Sequence, residues 1–139
     1  MVEYKKNFFK LDLDWQTYID NLNDSANRGE EIKFSQVAFY VTHSALRIKE
    51  LQPLFDKIKP IHAHLYLSLS NLDETFEPHE DFMDVWFWQA IGKTHWKTYE
   101  TEQGSEFILE PGDLIYIPRG VKHKVKSLTP RVGISMANE

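Results

Sequence analysis

The 139-residue chain reads as an all-β fold, a sandwich or jelly roll, with one or two helices packed on it. Two observations carry this expectation. From residue 61 onward the sequence is a succession of short strand patterns separated by Gly- or Pro-containing turns. Aromatic residues make up 14% of the chain, including four Trp and nine Phe, which favours strands and concave apolar pockets.

Taken in order, the elements begin with a helix over residues 14–22. Asp14 serves as its N-cap, and Trp15, Tyr18, Ile19 and Leu22 form an apolar stripe at helical spacing. NDSANRGEE then reads as an exposed loop, and residues 32–41, enriched in Phe, Val and Tyr, as a strand. Ser44 is placed to cap a second helix (ALRIKELQ), which Pro53 must kink, end or restart. In IHAHLYLSLS the alternation is strict: Ala63, Leu65, Leu67 and Leu69 face one way, His62, His64, Tyr66, Ser68 and Ser70 the other. DVWFWQAI is a nearly continuous apolar run ending at Gly92. THWKTYE, EFILE, DLIYI, VKHKVKS and RVGISMA complete the series. A single domain, 1–139, is expected, with 1–60 as an N-terminal decoration of helices and strand and 61–137 as the barrel core.

The totals narrow the function. A net charge of -5 offers no cationic field for nucleic acid or an anionic membrane. The absence of cysteine removes disulfides, thiolate metal sites and Cys nucleophiles. The first fifteen residues carry acidic groups and no continuous apolar run, so neither a signal peptide nor a membrane span is expected, and a cytoplasmic location follows by default. No Ser-His-Asp spacing, P-loop or Gly-rich nucleotide fingerprint is present.

The chemistry concentrates in two segments. GDLIYIPRGVKH, residues 112–123, has Gly, five residues, Pro, one residue, Gly, two residues, His, the spacing of the second cupin motif. Lys122, Lys124 and Lys126 share one face of the following strand, so Val121, His123 and Val125 share the other, and His123 should point inward. About forty residues earlier, His79-Glu80-Asp81 puts an imidazole and a carboxylate on one side of an extended chain. Together with His123 they make a two-His-one-carboxylate set, which suits non-haem Fe(II) and O₂ chemistry. His62 and His64 read as a wetted strand face or outer support, His43 and His95 as structural. The row Trp86, Phe87, Trp88 reads as core, the lysine row as a solvated outer face, and Asp73, Glu74, Glu77 and Glu80 as a solvated acidic loop.

PHEDFMDVWFWQAIGKTHWKTY followed by LEPGDLIYIPRGVKHKV resembles the JmjC/cupin-like 2-oxoglutarate oxygenases, especially their ribosomal-protein hydroxylase branch. The resemblance covers roughly residues 61–137. It implies a double-stranded β-helix, Fe(II) held by His79, Asp81 and His123, and hydroxylation coupled to decarboxylation of 2-oxoglutarate. It also exposes a departure: the family's basic residue for the far carboxylate of 2-oxoglutarate falls on Thr94. A carboxylate inside a barrel wants a cation. Arg131, at the start of the last strand, is the expected anchor, with Thr94 adding a hydroxyl and Lys93 and Lys97 next in line. The competing reading is a metal cupin that does not use 2-oxoglutarate, either another enzyme or a non-catalytic binding module. The substrate would be a small molecule or a protein side chain, acted on by a monomer or homodimer.

Overall fold

A computed structural model describes residues 1–35, 37–41, 43–74 and 78–138. Its strands are β1 (Glu3–Lys5), β2 (Lys33–Ser35), β3 (Ala38–Val41), β4 (His62–Ser68), β5 (Val85–Ile91), β6 (Thr94–Tyr99), β7 (Ser105–Leu109), β8 (Leu114–Ile117), β9 (Lys122–Ser127) and β10 (Arg131–Ala137). The helices are α1 (Trp15–Asn27) and α2 (Gln52–Ile58). A seven-stranded sheet of order β1-β8-β5-β10-β4-β3-β2 faces a three-stranded sheet of order β7-β6-β9. This is the jelly-roll, cupin-type arrangement expected from the strand series.

Strand alternation sorts the side chains of the large sheet into two layers. Leu65 and Leu67 on β4, Trp88 on β5 and Val132, Ile134 and Met136 on β10 turn outward, where Tyr18, Leu51 and Leu54 of the helical segment cover them. The alternate residues turn inward: His64 and Tyr66, Phe87, and Arg131 and Ser135 line a cavity. Phe87 also joins Trp96, Leu109, Ile115 and Ile117 in an inner core between the sheets. The aromatic row of β5 is therefore core on both sides, as expected. Gly133 makes the inner packing possible, since a Cβ there would overlap the Phe87 ring.

Several N-terminal expectations change. Asp14 caps α1 by accepting from the Thr17 N–H, but the helix runs to Asn27, so half of the expected NDSANRGEE loop is helical. Its buried side is polar in part: Tyr18, Asn21 and Ser25 are buried, while Ile19 is 42% exposed. Asn21 donates to the Ser44 carbonyl, and Arg47 donates to Ser25 Oγ, Asp24 and Glu30, so partners distant in sequence select that face. The expected strand over 32–41 is the hairpin β2–β3, with Gln36 outside the described residues. Ser44 caps nothing: it is buried inside a 3-10 turn whose N-cap is His43, and Pro53 opens α2 from its first turn. Strands β1, β2 and β3 of the first sixty residues extend the large sheet on both edges.

Candidate metal centre and cavity

The Pro118–Gly120 turn and the start of β9 build the site. Gly120 has φ +84°, a conformation that glycine adopts without strain. Its N–H donates to the Asp81 carbonyl at 3.1 Å, and the Arg119 N–H donates to Asp84 Oδ1 at 2.8 Å. His79 and His123 then exchange backbone hydrogen bonds of 2.9 and 2.8 Å as an isolated antiparallel bridge. The His-x-Asp segment is thus stitched backbone to backbone onto β9, which brings residues 79, 81 and 123 together.

His123 points inward, 4% exposed, as the lysine alternation requires. His79 is exposed and Asp81 half-buried. One nitrogen or oxygen of each lies within 4.8 Å of the others. That is close to the span that ligands about 2.0–2.2 Å from one ion must occupy. His123 Nδ1 sits 3.0 Å from the Val121 carbonyl, which can only accept, so the ring proton is assigned to Nδ1. The Nε2 lone pair then faces Asp81 Oδ2 across 3.4 Å. Burial pushes the His123 imidazole below its ordinary pKa, which disfavours a second ring proton. Two acceptors opposed at that distance repel unless a proton or a metal ion lies between them, and two imidazoles with one carboxylate are a donor set that fits a divalent metal.

The triad lies on a cavity of about 370 Å³ whose walls include Tyr66, Phe87, Trp96 and Arg131. Arg131 is 7% exposed and rests against the rings of Tyr66 and Phe87, 5.8 Å from each centroid. Its Nη2 donates to Asp73 at 3.1 Å, and its Nε has no hydrogen-bond partner among the described residues. Desolvation lowers its pKa below the ordinary arginine value, and the Asp73 carboxylate opposes that.

The other expected cosubstrate residues do not reach the cavity. Thr94 is buried, but its hydroxyl donates to Gln89 Oε1 and accepts from Trp96 Nε1, both at 2.9 Å, so it is already committed. Lys93 is exposed and pairs with Glu110 at 3.2 Å, and Lys97 lies over the Tyr99 ring. Lys97 projects away because inward and outward positions alternate along β6, and Lys93 precedes that strand. His62 and His64 form a cluster with His43 that the sequence did not announce: His43 N–H donates to His64 Nδ1 at 3.0 Å, and His62 and His43 Nδ1 atoms lie 3.2 Å apart. His95 pairs with Glu106 on the outer face of the small sheet. Glu77 of the expected acidic loop lies outside the described residues; Asp73 of that loop is instead the partner of Arg131. Alternation on β4 put Tyr66 on the face of His62 and His64, read as wetted, and the structure turns Tyr66 and His64 of that face into the cavity wall; nothing near Asp73 in the sequence marks its pairing.

Comparison with known proteins agrees with this architecture. A family model described as JmjC domain matches residues 100–138. A bifunctional lysine-specific demethylase and histidyl-hydroxylase NO66 from Culex quinquefasciatus is 26% identical over 91% of this chain and 24% of its own length. Ribosomal oxygenase 1 from Rattus norvegicus is 25% identical over 91% of this chain and 27% of its own. Among solved structures, the ribosomal oxygenase YcfD from Escherichia coli, in complex with cobalt and 2-oxoglutarate, superposes with a TM-score of 0.75 at 17% identity, covering all of this chain and 48% of that one. The chain thus spans about a quarter of these curated relatives and about half of YcfD.

Proposed function

We propose that this chain, which resembles the JmjC/cupin oxygenases of the ribosomal-oxygenase branch in sequence and in fold, is an Fe(II)- and 2-oxoglutarate-dependent hydroxylase. The carrying observation is the confrontation of His123 Nε2 with Asp81 Oδ2, completed by His79, at the wall of a cavity. When bound, the metal and 2-oxoglutarate supply activation of O₂ coupled to loss of CO₂ and hydroxylation of a substrate C–H bond. The residues of the chain do the rest. His79, Asp81 and His123 would hold the ion, two imidazoles and one carboxylate being a donor set suited to Fe(II). The Val121 carbonyl keeps the proton on Nδ1 of His123 and so keeps Nε2 available. Arg131 offers a cation for the far carboxylate, and Phe87 and Trp96 exclude water from the interior.

We read residues 1–139 as one domain, because the helices cover the outer face of the same sheet that lines the cavity. Relatives named as demethylase and histidyl-hydroxylase support a protein side chain as the group oxidised, with a small molecule as the alternative. The rival reading, a metal cupin that does not use 2-oxoglutarate, is favoured by one fact: Arg131 already has a carboxylate partner in Asp73. The deciding experiment is release of succinate and CO₂ from 2-oxoglutarate by the Fe(II)-loaded protein, with calorimetric titration of 2-oxoglutarate under anaerobic conditions. Binding and Fe(II)-dependent release are expected. No binding to fully metal-loaded protein would end the oxygenase reading and leave the cosubstrate-free cupin.

A further inference from the structure

The Arg131 guanidinium stands between two cavities. One is the metal-side cavity; the other, of about 250 Å³, lies beside the β2–β3 hairpin, and the two share Tyr40, Tyr66 and Arg131. Asp73 lines the second and places Oδ2 3.1 Å from Arg131 Nη2. The carboxylate is itself pinned. Ser127 at the end of β9 donates its N–H to the Asp73 carbonyl at 2.9 Å and its hydroxyl to Oδ2 at 3.3 Å. Glu74 forms a bridge with Lys126 beside it. Asp73 therefore brings a resident anion to the Arg131 guanidinium from the hairpin side.

We propose that Asp73 is a built-in competitor at Arg131: a resident carboxylate that neutralises the guanidinium until the carboxylate of a ligand takes its place. A buried guanidinium without a counter-ion is strongly unfavourable, so the fold supplies one. A ligand gains its charge-assisted bonds to Arg131 only net of those that Asp73 gives up. The ligand that makes this exchange is a dicarboxylate, whose second carboxylate competes with Asp73 for the same cation, so Asp73 holds its affinity down. The inference rests on the proposed function only in taking that dicarboxylate to be 2-oxoglutarate; the exchange between Asp73 and ligand needs no metal.

The test uses glutarate, which has the chain length and both carboxylates of 2-oxoglutarate but no keto group to chelate a metal. Titrated calorimetrically into metal-free protein, it should bind Asp73→Asn roughly tenfold tighter than the parent, the scale of one charged hydrogen bond. The gain should vanish in Asp73→Asn combined with Arg131→Ala. Equal or weaker binding to Asp73→Asn would overturn the assignment. If Asp73→Asn does not fold, Asp73→Ala refolded with formate or acetate supplies the missing anion: recovery of its melting temperature by these carboxylates, and not by chloride at the same ionic strength, is expected, and recovery by chloride alone overturns it. The two readings fail separately. A glutarate effect without turnover of 2-oxoglutarate supports Asp73 and sinks the hydroxylase; turnover with glutarate binding indifferent to Asp73 does the reverse.

Discussion

Three side chains carry the proposed metal chemistry, and their substitutions should have unequal consequences. His123→Ala and His79→Ala each remove a neutral nitrogen from a set of three, and Asp81→Ala removes its anionic member. Each should weaken metal binding by more than the roughly 10–100-fold typical of outer partners. Elemental analysis beside circular dichroism checks this, and an unchanged metal ratio in folded variants would sink the ligand assignment. His123→Ala should also be the least well tolerated by the fold, since it is the buried member and stacks on Trp96 at 5.8 Å. Arg131→Ala belongs to a different class. It touches the cavity and not the triad, so metal content should hold while the dissociation constant for 2-oxoglutarate rises about ten- to a hundredfold, the worth of a charged hydrogen bond. Calorimetry on Mn(II)-loaded protein reads both, and affinity indifferent to Arg131 would move the anchor elsewhere.

Elements matter here through what their alternation delivers to each face. Strand β10 presents Val132, Ile134 and Met136 to the helical layer and Arg131, Gly133 and Ser135 to the interior. Gly133→Ala should force Phe87 aside and cost about 1–3 kcal/mol, the usual penalty for overpacking. Chemical denaturation measures it, and a neutral result would show that the Phe87 ring yields freely. On β4, His64 is held at a pKa of about 4 against the ordinary 6.5, first by burial and then by His43 and His62. The unfolded chain therefore takes up this proton first as pH falls. Stability is full above about 6.5 and declines toward about 4, where the folded state protonates too. In metal-free protein the fall in melting temperature between pH 7 and 5 should be shallower in His64→Gln, which keeps an acceptor for the His43 N–H. An unchanged slope would place the acid sensitivity in other groups.

Over the whole molecule, two sheets are clamped along β9, where the small sheet meets the His-x-Asp segment by backbone hydrogen bonds. An ion held between that segment and β9 should stabilise the fold as any ligand of the native state does. At a free metal concentration about a hundredfold above the dissociation constant, the gain is about 2.7 kcal/mol, or a rise of roughly 5–12 °C in melting temperature. The rise should be present in the parent with Mn(II) or Fe(II) and absent in His123→Ala; an equal rise in both would place the bound metal elsewhere. Among the described residues no helix is long and apolar enough to cross a membrane. The relatives are about four times longer by the share covered, so whatever they do with their remaining length lies outside this barrel.

What the sequence determined by itself is local or periodic. Strands β4 to β10 were legible because side chains alternate every second residue and turns need Gly or Pro, both visible in a few consecutive letters. His123 was placed inward by three lysines on its own strand, and the proximity of His79 and Asp81 to it follows from motifs whose spacing encodes turn geometry. Tertiary structure alone decided the rest, because it depends on partners far apart in the chain. The length of α1 and its polar buried side come from Arg47 and the Ser44 carbonyl, about twenty residues away. Thr94 was expected to add a hydroxyl for the cosubstrate, yet its hydroxyl is consumed by Gln89 and Trp96. Lys93 was near in sequence and far in effect, since from the turn before β6 it pairs with Glu110. Arg131 lines the cavity, and that it arrives already paired, with Asp73 58 residues earlier, is a property only of the folded chain. Sequence periodicity sets which face a side chain takes; which charge meets it there is settled by packing and desolvation across the whole barrel.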